Sequence, residues 1–215
     1  MRKSLLLATV VLVMALGAGC SYKTPVNTVQ SVNVYSSYDE KIPGKFAVII
    51  NADTNLLDKT VSPSSFTCAA HKFPISLTDS FTSSIIATNE SIFESIFQRE
   101  NIPSVEEMKK DNLSGYIFIT SKLFEPRLQF IPGFWSATAS ASTDIGFDYN
   151  IRDSQNNLVL NGSISGNRTA DGGAGGACEG GSSVLAESIS KSLRDALERY
   201  GERVSNSPKL REVFK

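Results

Sequence analysis

Histidine occurs once in this chain, tryptophan once and cysteine three times, so the side chains from which most metal centres and nucleophilic sites are assembled are nearly missing. The lone His71 lies in Cys68-Ala69-Ala70-His71. A tetrahedral zinc site built on Cys68 and His71 would find only Cys178 as a further sulfur or nitrogen ligand. The same pair makes a poor thiol nucleophile and base, because the segment reads as a loop with no orienting group and nothing to favour a thiolate. No serine stands in a Gly-x-Ser-x-Gly setting. Asp144 and Asp148, on one face of a strand, would be about 13 Å apart, too far to work as a carboxylate pair. An enzyme is therefore not expected, nor a metal or cofactor. Charge of one sign is also missing: 21 basic residues face 22 acidic ones, and without a basic patch no nucleic-acid partner is expected.

One long apolar run is present, and it is informative. Arg2 and Lys3 precede an almost unbroken apolar stretch from Leu5 to Leu16, which closes in Leu16-Gly17-Ala18-Gly19-Cys20. The stretch is shorter than the roughly 20 residues that span a bilayer. Small residues before a cysteine instead fit a lipoprotein signal peptide over residues 1–19, cleaved so that Cys20 becomes the acylated first residue. Thioether diacylglycerol and an amide-linked chain such as palmitate would anchor it firmly, because each buried methylene contributes about 0.8 kcal/mol. Gly17 stands where a large aliphatic is usual in such signals. Ser21 rather than aspartate after the cysteine resembles the outer-membrane address of such lipoproteins, on the periplasmic face. With Cys20 modified, Cys68 and Cys178 are left in a compartment that permits a disulfide. Paired, they would close a loop of about a hundred residues, worth up to ~4–5 kcal/mol. Two separate thiols are the alternative.

Residues 20–44 read as the lipidated N-terminus and a tether, with brief alternation at Val32-Asn33-Val34-Tyr35. Residues 45–205 read as one α+β domain and 206–215 as a basic C-terminal tail. The domain opens on strand Lys45-Phe46-Ala47-Val48-Ile49-Ile50. Leu77, Phe81, Ile85, Ile92 and Ile96 then form a helical stripe widened by Ile86, Phe93 and Phe97, with Ser76 and Asp79 as capping box and Asn101 and Pro103 as stop. Ser104 and Glu107 frame a shorter capping box before strand Tyr116-Ile117-Phe118-Ile119-Thr120. From Trp135 to Ile151 apolar and polar residues alternate at period two, which requires a strand with one buried face. Asp153-Ser154-Gln155-Asn156-Asn157 is turn chemistry, and Leu158 to Arg168 returns as its partner. Gly172 to Gly181 reads as a flexible connector. It precedes a helix, yet lacks the Gly-Lys-Ser/Thr ending of a phosphate loop, and Glu179 carries the wrong charge for phosphate. The last helix has Ser182 or Ser183 as cap and Leu185, Ile189, Leu193 and Leu197 as stripe. The order β-α-β-β-β-α gives the expected fold: a mostly antiparallel sheet with two amphipathic helices on one face.

Between two of these strands, residues 123–135 crowd Leu123, Phe124, Leu128, Phe130, Ile131, Phe134 and Trp135 around Pro126, Pro132 and Gly133. The prolines and glycine argue against regular structure, and a connection is normally polar. Either the segment folds over an open end of the core, or Leu128, Phe130, Ile131, Phe134 and Trp135 form an exposed contact for a lipid or a partner protein.

The alternating strand Ile145 to Ile151, the turn 153–157, the strand Leu158 to Ser165 and the helix from Val184 to Leu193 together resemble the YajG-like envelope lipoproteins of Gram-negative bacteria. More loosely the chain is similar to transport-auxiliary and lipopolysaccharide-assembly lipoproteins. The resemblance implies an envelope location and an α+β fold, and carries no catalytic residues over. The long glycine-rich connector and the cysteines at 68 and 178 depart from it. The expected function is a membrane-anchored, non-catalytic binding or assembly factor in envelope biogenesis or transport, with an envelope protein or lipid as partner. An accessory structural subunit of a secretion or surface-organelle complex is the alternative.

Overall fold

The computed structural model describes residues 20–27 and 32–215, so the signal-peptide reading of residues 1–19 lies outside the described residues. Apolar β-rich sequence forms β1 (Ile42–Asn51), which leads through a one-turn helix α1 (Thr54–Leu57) to a small ribbon of β2 (Lys59–Val61) and β3 (Phe73–Ile75). Helix α2 (Thr78–Ile92) runs directly into β4 (Phe93–Arg99), and α3 (Val105–Lys110) into β5 (Gly115–Pro132). A long meander of β5, β6 (Ala137–Asp153) and β7 (Leu158–Gly173) follows, then α4 (Gly180–Ser205) and α5 (Pro208–Val213).

The main sheet has the order β4-β1-β5-β6-β7. It is α+β as expected but mixed rather than mostly antiparallel, since β1 runs parallel to both β4 and β5 while β5, β6 and β7 are antiparallel. Parallel neighbours require crossovers, and the helices provide them. Packing also departs from two helices on one face. Phe46 and Val48 of β1 face the main core with Phe81, Ile85, Leu193 and Leu197 of α2 and α4, whereas Ala47 and Ile49 face a second cluster with Met108 of α3, Leu113 and Tyr116. Strand β1 is thus covered on both sides, as a central strand with parallel neighbours must be.

The helical stripe expected to continue to Ile96 stops at Ile92. Phe93 is already extended, and Ile96 packs on the main core while Phe97 packs on the second cluster, the opposite-face alternation of a strand. Pairing with β1 outweighs the helical spacing of these three residues. The start of α2 is also not the expected capping box. Its first turn is capped by Asp58, whose carboxylate accepts hydrogen bonds from the Leu77 N–H (2.7 Å), the Thr78 N–H (3.1 Å) and the Thr78 hydroxyl (3.0 Å). The Ser104–Glu107 capping box at α3 is present in full. At α4 neither Ser182 nor Ser183 is the cap; the helix begins earlier, at Gly180. Gly181 is required there by close approach, since a Cβ would meet the Phe130 and Phe73 rings at 2.6 and 3.0 Å. Gly166 of β7 is required for the same reason, against the Ser192 carbonyl of α4 at 2.1 Å.

Residues 206–215 are not a free tail. Ser207 caps α5, Leu210 and Phe214 are buried, and Phe214 stacks edge-on against Phe46 at 4.9 Å. Nor does the described part of residues 20–44 stand off the domain. Tyr22 and Thr24 donate backbone hydrogen bonds to the carbonyls of Lys72 and Pro74 (2.9 Å each), and Val34 lies against Gly201 of α4. A polar pairing sits inside the core between the two long helices: the Tyr200 hydroxyl donates to Asn89 Oδ1 (2.7 Å), and Asn89 Nδ2 donates to the Ile85 carbonyl. Burial, and then the neighbouring Tyr149, push the Tyr200 phenol far above its ordinary range, so it remains a neutral donor.

Candidate functional site: the hairpin tip and the Cys20 end

Residues 123–132 are strand, not loop, despite Pro126. Past Thr120, β5 has outrun β1 and becomes an edge. Pro126 shares the backbone parity of Phe124, Leu128 and Phe130, whose edge-facing groups meet Lys59 Nζ, the Ser64 N–H and Ser65 Oγ. A proline nitrogen at such a position costs the ladder no hydrogen bond. A register shift between Ser121 and Leu123 keeps the apolar face inward: Ile117 and Ile119 face the core before it, Phe124, Leu128 and Phe130 after it.

The five candidate contact residues are consequently divided. Leu128 and Phe130 are 2 % and 1 % exposed and belong to the core, which corrects their placement in a contact surface. Ile131 is half exposed, and Phe134 and Trp135 are 90 % and 92 % exposed. Pro132 pairs with Ala137 as the last rung, and the Gly133 N–H donates to the Ser136 carbonyl (2.8 Å), which closes a tight turn with the two aromatics at its apex. Their rings meet edge to face at 4.8 Å. The two large apolar rings are thus held in water on a closed turn, packed on each other.

Cys68 and Cys178 form the expected disulfide, with their Cα atoms 6.1 Å apart. This removes the zinc and thiol-nucleophile readings of Cys68 and His71, since neither sulfur is left as a thiolate. His71 instead has its ring 5.5 Å from Tyr22. The glycine-rich segment is part strand, part turn. The Glu179 carboxylate accepts the Ala177 N–H (3.0 Å), so an internal acid occupies the loop where a phosphate would need free donors. That bond also holds the Glu179 carboxyl below its ordinary range.

Cys20 is exposed, and its carbonyl accepts the Lys72 N–H (3.1 Å). Two residues on, the Tyr22 hydroxyl donates to the Ala177 carbonyl (2.7 Å), beside the disulfide. Burial raises the Tyr22 phenol above its ordinary range, and Cys20 and Glu179 push it the same way. Across the same loop, the Ala174 N–H donates to the Ala137 carbonyl (2.9 Å), two residues from Trp135. Phe66, whose neighbour Ser65 bonds Phe130, is 99 % exposed. Sequence reasoning missed it; an isolated aromatic in the polar run from Pro63 to Cys68 was the available signal. A shallow depression of about 330 Å³ on the polar sheet face nearby is lined by Arg127, Ser140, Ser142 and Thr169. Arg127 is already paired with Glu125 (2.6 Å) and Asp144 (3.4 Å), which leaves it no unbalanced charge to offer a ligand.

The described residues therefore define an α+β domain with an exposed cysteine and an aromatic hairpin tip, and no helix among them is long and apolar enough to cross a membrane. No protein-family model matches the chain, and no curated protein does. The likeness to YajG-like lipoproteins accordingly rests on the sequence pattern alone. Among solved structures, the chain is similar to a Helicobacter pylori protein described as a homologue of the neuraminyllactose-binding hemagglutinin, at 9% identity and a TM-score of 0.46 over 88% of this chain and 96% of the other. It is similar to a minor lipoprotein from Acinetobacter baumannii at 10% identity and a TM-score of 0.30, over 75% and 87%. It is also similar to lipoprotein GNA1162 from Neisseria meningitidis at 11% identity and a TM-score of 0.30, over 67% and 92%. Likeness at this level bears on neither activity nor partner.

Proposed function

We propose that this chain is a non-catalytic envelope lipoprotein of the YajG-like kind, held by acyl chains on Cys20 at the periplasmic face of the outer membrane. There it serves as a binding or assembly factor in envelope biogenesis or transport. The observation that carries the reading is the position of Cys20. The cysteine that closes the signal-like segment is exposed and lies directly on the folded domain, fixed by the bonds of Cys20, Tyr22 and Thr24. An acyl anchor there would hold the whole domain close against a bilayer. The disulfide supports a binding rather than a catalytic role, because it consumes two of the three cysteine sulfurs, including Cys68 three residues before the single histidine.

Growth with a palmitate analogue tests the anchor. The parent chain should incorporate label, and Cys20→Ala should remain unprocessed and take up none. Equal labelling of the two would overturn the reading. Crosslinking in intact cells with mass-spectrometric identification tests the binding role: recurrent envelope partners are expected, and a stoichiometric ring or secretion subunit would favour a structural accessory instead.

A further inference from the structure

We infer that the end of the molecule bearing Cys20 is itself a membrane-contacting face, in which Phe134 and Trp135, with Phe66 and Ile131 beside them, enter the headgroup region of the leaflet that holds the acyl chains. The inference rests on the lipid-anchor reading of Cys20 and assigns the hairpin tip to lipid rather than to a protein.

Placement is the first argument. Tyr22, two residues from Cys20, bonds the Ala177 carbonyl; three residues back along the same loop, the Ala174 N–H bonds the Ala137 carbonyl, and Ala137 is two residues from Trp135. The other end of the β5–β6 hairpin, the turn at Asp153, lies about 55 Å away at ~3.3 Å per residue. Phe66 and Ile131 sit at the Cys20 end too, since Ser65 bonds Phe130 at the foot of the tip. Slack is the second. Because Tyr22 and Thr24 are hydrogen-bonded onto the domain, only Cys20 and Ser21 separate an acyl chain from the folded body. An anchored domain cannot keep this end more than a few residues' length from the lipid surface.

Shape and chemistry make the third. The aromatics crown a protruding turn and do not line a groove, and a convex apolar tip fits a deformable interface that closes around it. Tryptophan is favoured at the headgroup level, where its apolar ring and polar N–H are both accommodated, and phenylalanine joins it on the apolar face of interfacial segments. Flanking charges are mixed, with exposed Lys23 and Lys72 offset by exposed Asp171 and Glu179. Entry is therefore driven by apolar burial and is indifferent to lipid charge.

Trp135 is the only tryptophan, so its emission reports this tip alone. The lipidated full-length chain, purified from membranes, is reconstituted into phosphatidylcholine vesicles containing lipids brominated near the headgroup. We expect these lipids to quench most of the Trp135 emission, and aqueous iodide to quench it little. The same result is expected with phosphatidylglycerol added, which matches a probe about 5–10 Å into the boundary region. A double substitution Phe66→Ser with Phe134→Ser should restore iodide access while the protein still floats with the vesicles. Flotation separates the two readings: a chain that does not float defeats the anchor, and a floating chain whose Trp135 is open to iodide and untouched by brominated lipid overturns the inference alone. Protection of Trp135 in native membranes but not in vesicles would also overturn it, and would assign the tip to a protein.

Discussion

Phe130 and Phe134 stand four residues apart on one hairpin and are placed oppositely, one inside the core against Phe73 and the other in water against Trp135. Phe130→Ala should therefore cost about 3–5 kcal/mol, whereas Phe134→Ser should stay within about 0.5 kcal/mol of the parent. Urea denaturation of both variants checks the contrast, and comparable losses would mean that the tip is part of the core. Gly166 offers a sharper case, because the obstacle to a side chain there is backbone of α4 at Ser192 and Ala196, which cannot rotate away. Gly166→Ala should lose about 1–3 kcal/mol by forcing helix and sheet apart, and an unchanged denaturation midpoint would refute the close approach.

The short helix α3 owes its start to Ser104 and Glu107, which exchange side-chain and backbone hydrogen bonds. Ser104→Ala should cost about 1 kcal/mol. The Ser104 backbone N–H, and then Arg99, hold the Glu107 carboxyl below its ordinary 4.5. Its folded form is thus the more acidic one, so the stability it contributes is complete above that value and fades as the pH falls through the lower folded value. Acid titration of parent and Glu107→Gln should show the parent losing part of its advantage only below pH 4.5. How legible each element was depended on whether its signal was local. Helix α2 up to Ile92 and the body of α4 announced themselves through 3.6-residue periodicity, and β6 through period two. The parallel pairing of β4 with β1 did not, because Phe93, Ile96 and Phe97 satisfy either period and the choice is made by a strand some 50 residues earlier. Pro126 misled for a similar reason: whether a proline breaks a strand depends on which edge its nitrogen faces. The cap of α2 came from Asp58, twenty positions before Thr78, beyond any local motif. In the candidate site the disulfide followed from compartment and counting, and Trp135 from its position, while the division between Phe130 and Phe134 needed the turn geometry.

At the scale of the whole molecule, the two ends of the long hairpin are secured differently. At the far end the C-terminal segment closes the core, so removal of residues 208–215 should uncover Phe46 and destabilise the domain by several kcal/mol, at about 1.5–3 kcal/mol for each buried side chain. A melting temperature unaffected by that truncation would show α5 to be dispensable. At the Cys20 end the disulfide joins residues 110 apart in sequence, and its reduction should lower stability by about 4–5 kcal/mol. The third sulfur is on Cys20, two residues from Tyr22, whose hydroxyl bonds the carbonyl next to Cys178. Three cysteines permit three pairings, and the folded domain carries the Cys68–Cys178 one. On the proposed lipid-anchor reading, conversion of Cys20 to a thioether would remove it from that choice. If Cys20 is acylated as proposed, lipidated chains should carry the Cys68–Cys178 pairing alone, and peptide mapping without reduction that finds Cys20 in a disulfide of such chains would overturn this.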